Sequence, residues 1–374
     1  MKTRGKRLPW LLALVVALVA VTLLRGRSRG QSAAYPQPTE SLELILGNPE
    51  FEIPAGPLNA WASSDAGDFH FLALLDAGRR WKITRRSADG MFHDYEIPAL
   101  PELTQDAGQA MQDIAVDSFG NVYVPMVWRY TKQDQGVGIL VFGREGRLTR
   151  LVKLEPRTEA RKLTIGGDGS LYVLGVDPGF FNRKIDECYL LHKYTPQGQR
   201  VVSFSSCPNV NTLRQTGTIR PGSGFARLIE ETQRGSIWLK GETVYQLLPH
   251  SQEIRKFSTS GAFQSSVVFD LPHAGHPGDI ALQAFERNDG TFLVVWLRQE
   301  QTGTNTVSSG KYLAVHDGVS GRVLSQIKPV RRGDAAPFAS DGNGGILAIS
   351  RGPAGLGQLG GENVYKGGRG ACER

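Results

Sequence analysis

The sequence predicts an all-β chain: a six-bladed β-propeller of four-stranded blades, preceded by one N-terminal hydrophobic helix. Three observations lead there. A strand-turn-strand unit recurs along the chain, each copy continues into a second hairpin, and no helical pattern stands out beyond the N-terminus.

The clearest copy of the unit is residues 113–128, DIAVDSFGNVYVPMVW. Ile114 and Val116, then Val122 and Val124, recur with a period of two, which is strand periodicity. Asp117-Ser118-Phe119-Gly120-Asn121 interrupts them with turn chemistry, because Asp and Asn bond nearby backbone and Gly accepts positive φ. Degenerate copies read AWASSDAGDFHFLAL at 60–74, KLTIGGDGSLYV at 162–173, RLIEETQRGSIWL at 227–239, DIALQAFERNDGTFLVV at 279–295 and APFASDGNGGILAI at 336–349. Taking the turn glycines as Gly67, Gly120, Gly169, Gly235, Gly290 and Gly344, the steps are 53, 49, 66, 55 and 54 residues. A period near fifty means stacked repeats in one body, which overrides the two or three domains that 374 residues would otherwise suggest. A pair of sandwiches is the competing architecture, but sandwiches do not repeat one signature six times.

The second hairpins follow in order. The first unit offers Arg80–Thr84 and Met91–Ile97, and the second offers Gly138–Phe142 and Arg147–Leu154. The third offers Tyr189–Tyr194 and Val201–Phe204, the fourth Thr243–Leu248 and Glu253–Phe257, the fifth Lys311–His316 and Arg322–Ile327. The sixth is one strand short. Leu42–Leu46, ahead of the first repeat, is the expected closing strand, since a strand lent by the other terminus removes an open sheet edge. The domain plan is therefore 1–34 as signal peptide or membrane anchor, 35–41 as linker, and 42–374 as the propeller.

Residues 8–24, LPWLLALVVALVAVTLL, form a 17-residue uncharged run with four bases before it and three arginines after it. That length and flanking charge fit either an uncleaved anchor or a signal peptide cut near Ser32-Ala33-Ala34. Either places the rest of the chain outside the cytoplasm, membrane-anchored or secreted. The net charge of +7 belongs to this segment: residues 1–34 hold seven Lys and Arg and no acid, leaving 36 bases against 36 acids. The propeller is thus neutral, without the basic track that nucleic acid requires.

The turn motif D-x-x-G-N-x-Y-V at Asp117–Val124, with copies at Gly167–Val173 and Asp341–Ala348, resembles that of extracytoplasmic propellers of the NHL-repeat and TolB-like type. The resemblance covers most of residues 42–366 and implies a fold. It implies no single chemistry, because such propellers include lactonases, lyases, oxidoreductases and pure binding modules. Propeller lactonases of this kind hold a divalent ion with Glu, Asn and Asp from different blades, and no residue set here matches that pattern.

Cys188 and Cys207 bracket the third unit's outer hairpin symmetrically about Pro196–Gln199, so an antiparallel pairing places them opposite one another at disulfide distance. Cys372 has no visible partner. The chemistry of the expected channel mouth rests on its loops. Trp128, Tyr130, Phe180 and Phe181 lie in loops between second and third strands and offer a stacking platform or a channel plug. Arg220 and Arg332 offer grips for an anion or salt bridges to neighbouring blades. His273 and His276, with Asp279 nearby, form the best metal-like cluster, set against solvated loop histidines. Asp113 and Asp279 each precede Ile-Ala at the start of an innermost strand, where a carboxylate can hold calcium, act as a base, or bond backbone amides. No cofactor is called for beyond a candidate divalent metal such as calcium. The sequence reading is a ligand- or protein-binding module, partner unknown, with a metal-dependent hydrolase or lyase of the same fold as the alternative.

Overall fold

The computed structural model describes residues 40–44, 46–53, 58–64, 66–75, 80–97, 108–129, 135–177, 188–207, 230–272, 279–302, 305–329, 336–340, 346–351 and 362–367, with side chains between Ala60 and Gln326. The hydrophobic run at 8–24 and residues 35–39 of the expected linker lie outside them, whereas the linker's last two residues, Glu40 and Ser41, are strand. Among the described residues no helix is long and apolar enough to cross a membrane.

The strands form β-propeller blades, antiparallel and four strands deep from the channel outwards. Blade one runs Leu58–Ser63, Phe69–Leu75, Arg80–Arg86 and Phe92–Asp94. Blade two pairs the broken inner strand Gly108–Met111 and Ala115–Val116 with Val122–Arg129, then adds Gln135–Phe142 and Leu148–Lys153. Blade three is Glu159–Ile165, Leu171–Val176, Tyr189–Tyr194 and Arg200–Ser206. Blade four is Ser236–Lys240, Thr243–Leu248, Glu253–Ser258 and Phe263–Val268, and blade five is Ile280–Glu286, Phe292–Thr302, Asn305–His316 and Val323–Pro329.

These five blades pack face to face through apolar side chains. In blade two, Val122, Val124 and Met126 meet Leu72 and Ile83 of blade one, while Tyr123 and Val127 meet Leu163 and Val173 of blade three. A second strand buried on both faces explains why VYVPMV reads as a nearly unbroken apolar run. Similar layers join blade three to four through Leu174, Leu190 and Val244, and four to five through Leu247, Val267 and Val294. A sixth sheet, Ala336–Ser340, Ile346–Arg351, Glu362–Gly367 and Leu46–Ile53, is described in its strands and pairing alone.

The turn chemistry reads as expected. Gly67, Gly120, Gly169 and Gly290 sit at φ of 83°, 83°, 77° and 80°. Asp117 organises its turn outright: its carboxylate accepts the backbone N–H of Phe119 and of Asn121, the Asn121 amide and the Tyr123 hydroxyl, all within 3.0 Å. That accounts for Asp, Asn and Tyr in the motif without a ligand.

Three expectations are corrected. In blade four Gly235 is not the turn glycine: residues 230–234 are a helical turn, Ser236–Lys240 is the innermost strand, and the turn glycine is Gly241 at φ 57°. Thr243–Leu248 and Glu253–Ser258 are therefore second and third strands, not third and fourth. The Gln-Arg-Gly sequence imitates a turn, and only pairing with Thr243–Leu248 reveals the shift. The closing strand is also displaced. Leu46–Ile53 pairs antiparallel with Glu362–Gly367, whereas Glu40–Leu44 lies parallel to the outer strand of blade five. Asn48-Pro49 looks like a turn in sequence, but an outermost strand tolerates proline because its free edge needs no N–H, and the register slips on either side of Pro49. Finally, the strand expected at Lys311–His316 begins earlier: the hairpin of blade five stays paired down to Thr302 and Asn305.

The disulfide is as expected. Cys188 and Cys207 are bonded, their Cα atoms 5.3 Å apart, at the open end of the outer hairpin of blade three.

Candidate functional site

A cavity of about 520 Å³ lies where the innermost strands converge. Five blades line it: one with Ala60, Trp61 and Ser63, two with Asp113 and Ile114, three with Lys162 and Leu163, four with residues 234–240, and five with residues 282–286. This is the propeller's channel, and its size suits a small ligand. An innermost strand has no partner on its channel side, so its edge N–H and C=O groups must be met by side chains, water or a ligand.

Asp113 shows how one such edge is met. Opposite it in the second strand stands Pro125, which has no N–H to donate. Gln112 N–H still bonds the Pro125 carbonyl at 3.2 Å, but the ladder lapses there and the inner strand breaks between Met111 and Ala115. Released from the ladder, Asp113 turns to blade three. Its Oδ2 accepts the Leu163 backbone N–H at 2.9 Å and its Oδ1 faces Lys162 Nζ at 3.4 Å. Burial pushes its pKa above the ordinary carboxylate value, against the pull of Lys162.

Asp279 is placed differently. It is 1% exposed, does not line the cavity, and its Oδ2 accepts the Tyr312 hydroxyl at 2.7 Å. Burial, then the bond to Asp279, raise the pKa of Tyr312. Counting back from the turns, the register partners of Asp113 are Ala60, Lys162 and Gln283, not Asp279. The shared Ile-Ala is a coincidence of sequence, because the two aspartates lie at different heights on their strands. Both carboxylates are engaged by the protein. Among the described residues no group of three or more His, Cys, Asp or Glu is gathered as a metal site.

Trp128 is strand-paired with Gly136 rather than in a loop, and its side chain is outside the described residues. Tyr130, Phe180, Phe181, Arg220, Arg332, His273 and His276 all lie outside the described residues.

Sequence reasoning missed the channel wall itself. Lys240 pairs with Glu286 across blades four and five at 3.0 Å. Trp238 stacks on its cross-strand partner Tyr245, ring centroids 5.1 Å apart at 13°. Burial, then Glu286, push Tyr245 up to about 12. The signal was positional: wall residues stand a few places before each inner turn, a slot that any residue type can fill.

The chain is a β-propeller. No protein-family model matches it, and no curated protein matches it. Solved structures resemble it. Virginiamycin B lyase from Staphylococcus aureus is 13% identical with a TM-score of 0.44 over 87% of this chain and 99% of that one. The calcium-binding protein regucalcin from Agrobacterium tumefaciens is 12% identical with a TM-score of 0.46 over 88% of this chain and 97% of that one.

Proposed function

We propose that this chain is a six-bladed, NHL- or TolB-like propeller working outside the cytoplasm as a ligand- or protein-binding module, exported or tethered through residues 8–24. The observation that carries this reading is the channel cavity, lined by five innermost strands and carrying two tryptophans and several charged side chains. The carboxylates nearest the expected chemistry are already engaged by the protein, Asp113 with blade three and Asp279 with Tyr312 inside blade five. The sixth sheet, with one strand from the N-terminal side, supports a closed ring of six. The Cys188–Cys207 bridge supports an oxidising compartment.

A second reading, a metal-dependent hydrolase or lyase, is favoured by one observation: Asp113 stands on the channel wall. Elemental analysis of residues 36–374, purified without chelator, separates the two. The binding reading expects no stoichiometric calcium, zinc, manganese or iron. Near-stoichiometric metal, lost in Asp113→Ala, would replace it with the enzymatic one.

A further inference from the structure

Blade four breaks the repeat where it meets the channel. In blades one, three and five, and in the sixth sheet, the inner strand slips register once: at Leu58/Ala60, Ala160/Lys162, Ala281/Gln283 and Pro337/Ala339. Blade two is interrupted between Met111 and Ala115. Ser236–Lys240 pairs with no slip at all and is entered instead through the helical turn 230–234.

That turn is built to stay in place. Glu231 is 2% exposed, and its carboxylate accepts the His250 and Ser251 backbone N–H groups at 3.1 and 3.0 Å and the Ser251 hydroxyl at 3.0 Å. Gly235 closes the turn with no room for a side chain: an added Cβ would strike the carbonyls of Glu231 and Leu247. The residue held between them is Arg234, exposed and on the cavity wall.

Among the described residues the charges on that wall do not cancel. Lys162 faces Asp113 and Lys240 is paired with Glu286. Arg234 has no ion-pair partner among the described residues, so three wall cations face two anions. A guanidinium offers a planar fork matched to a carboxylate. Trp238, immobilised on Tyr245, supplies aromatic surface in the same cavity.

We propose that the channel takes a planar small molecule bearing a carboxylate, with the carboxylate on Arg234 and the ring system against Trp238. This rests on reading the channel as the binding site and adds the class of ligand. A departure from the repeat, fixed by a buried carboxylate and a crowded glycine, is the expected mark of a functional position.

The test is calorimetric titration of the propeller with naphthalene-2-carboxylate and with its uncharged isostere naphthalene-2-carboxamide, using the parent protein, Arg234→Gln and Arg234→Lys. The acid should bind about tenfold or more tighter than the amide, the worth of a charge-assisted pair. That ratio should fall to about one in Arg234→Gln and be partly kept in Arg234→Lys. Equal binding of acid and amide to the parent, or a ratio untouched by Arg234→Gln, overturns the ligand class while leaving the channel a binding site. Failure of both compounds to bind the parent at millimolar concentration overturns the inference and counts against the channel reading too.

Discussion

Replacing His316 with Phe should weaken the protein at neutral pH and make it less sensitive to acid. His316 is fully buried in blade five, its ring centroid 4.8 Å from Phe269 and 5.6 Å from Trp296. Nδ1 donates to the Gly321 carbonyl at 3.0 Å, and Nε2 accepts the Trp296 indole N–H at 3.2 Å. Both nitrogens are satisfied only in the neutral ring, since a proton on Nε2 would face another donor. Burial, opposed by the Gly321 carbonyl, lowers the pKa from 6.5 to about 4. The sign follows: between those values the unfolded chain binds a proton that the folded chain refuses, so stability falls as pH drops from 6.5 towards 4. At about 1.36 kcal/mol per pH unit, roughly 2.5 kcal/mol is lost by pH 4.5. Phe fills the ring's space but strands the Trp296 N–H, at a cost of about 1–3 kcal/mol at pH 7.5. Gly321 O keeps its bond from the Asp270 N–H. His70 and His192, also buried and lowered to about 4 and about 3, act equally in both proteins and cancel. Urea unfolding, followed by tryptophan fluorescence and circular dichroism, should show the deficit of His316→Phe at pH 7.5 shrinking by about 2.5 kcal/mol at pH 4.5. A deficit of the same size at both pH values would refute the argument.

Further outcomes follow from the blade contacts. Changing Cys188 and Cys207 together to Ser should cost about 3 kcal/mol by chain entropy for a separation of 19 residues, read as a lower midpoint in denaturant without reductant. Gly198→Ala should cost about 2 kcal/mol or more, because Gly198 has φ 89° and an added Cβ would strike the Lys153 carbonyl of the preceding blade. Gly290→Ala, at φ 80° with open space around it, should cost only the backbone part, about 1 kcal/mol, so equal melting shifts for the two variants would contradict the inter-blade contact. Asp113→Asn, which keeps an acceptor for Leu163 N–H, should stay within about 1 kcal/mol of the parent, whereas Asp113→Ala should lose about 1–3 kcal/mol in the same unfolding assay.

The sequence alone determined what is local. Strand periodicity, the Asp117–Asn121 turn and the glycines at positive φ are properties of a few adjacent residues, so they read through as four-stranded antiparallel blades. The Cys188–Cys207 bridge was equally legible, because a hairpin's symmetry fixes which residues stand opposite. What the tertiary structure decided is pairing between distant segments. Gln233-Arg234-Gly235 has turn composition, yet Ser236–Lys240 takes Thr243–Leu248 as its partner, and that choice moves a whole blade by one strand. Asn48-Pro49 has turn composition too, yet a free outer edge lets the chain run straight through it. The channel wall was hidden for the same reason. Trp61, Asp113, Lys162, Arg234 and Glu286 come from five separate blades, and only ring geometry, set by packing between blades, brings them round one cavity.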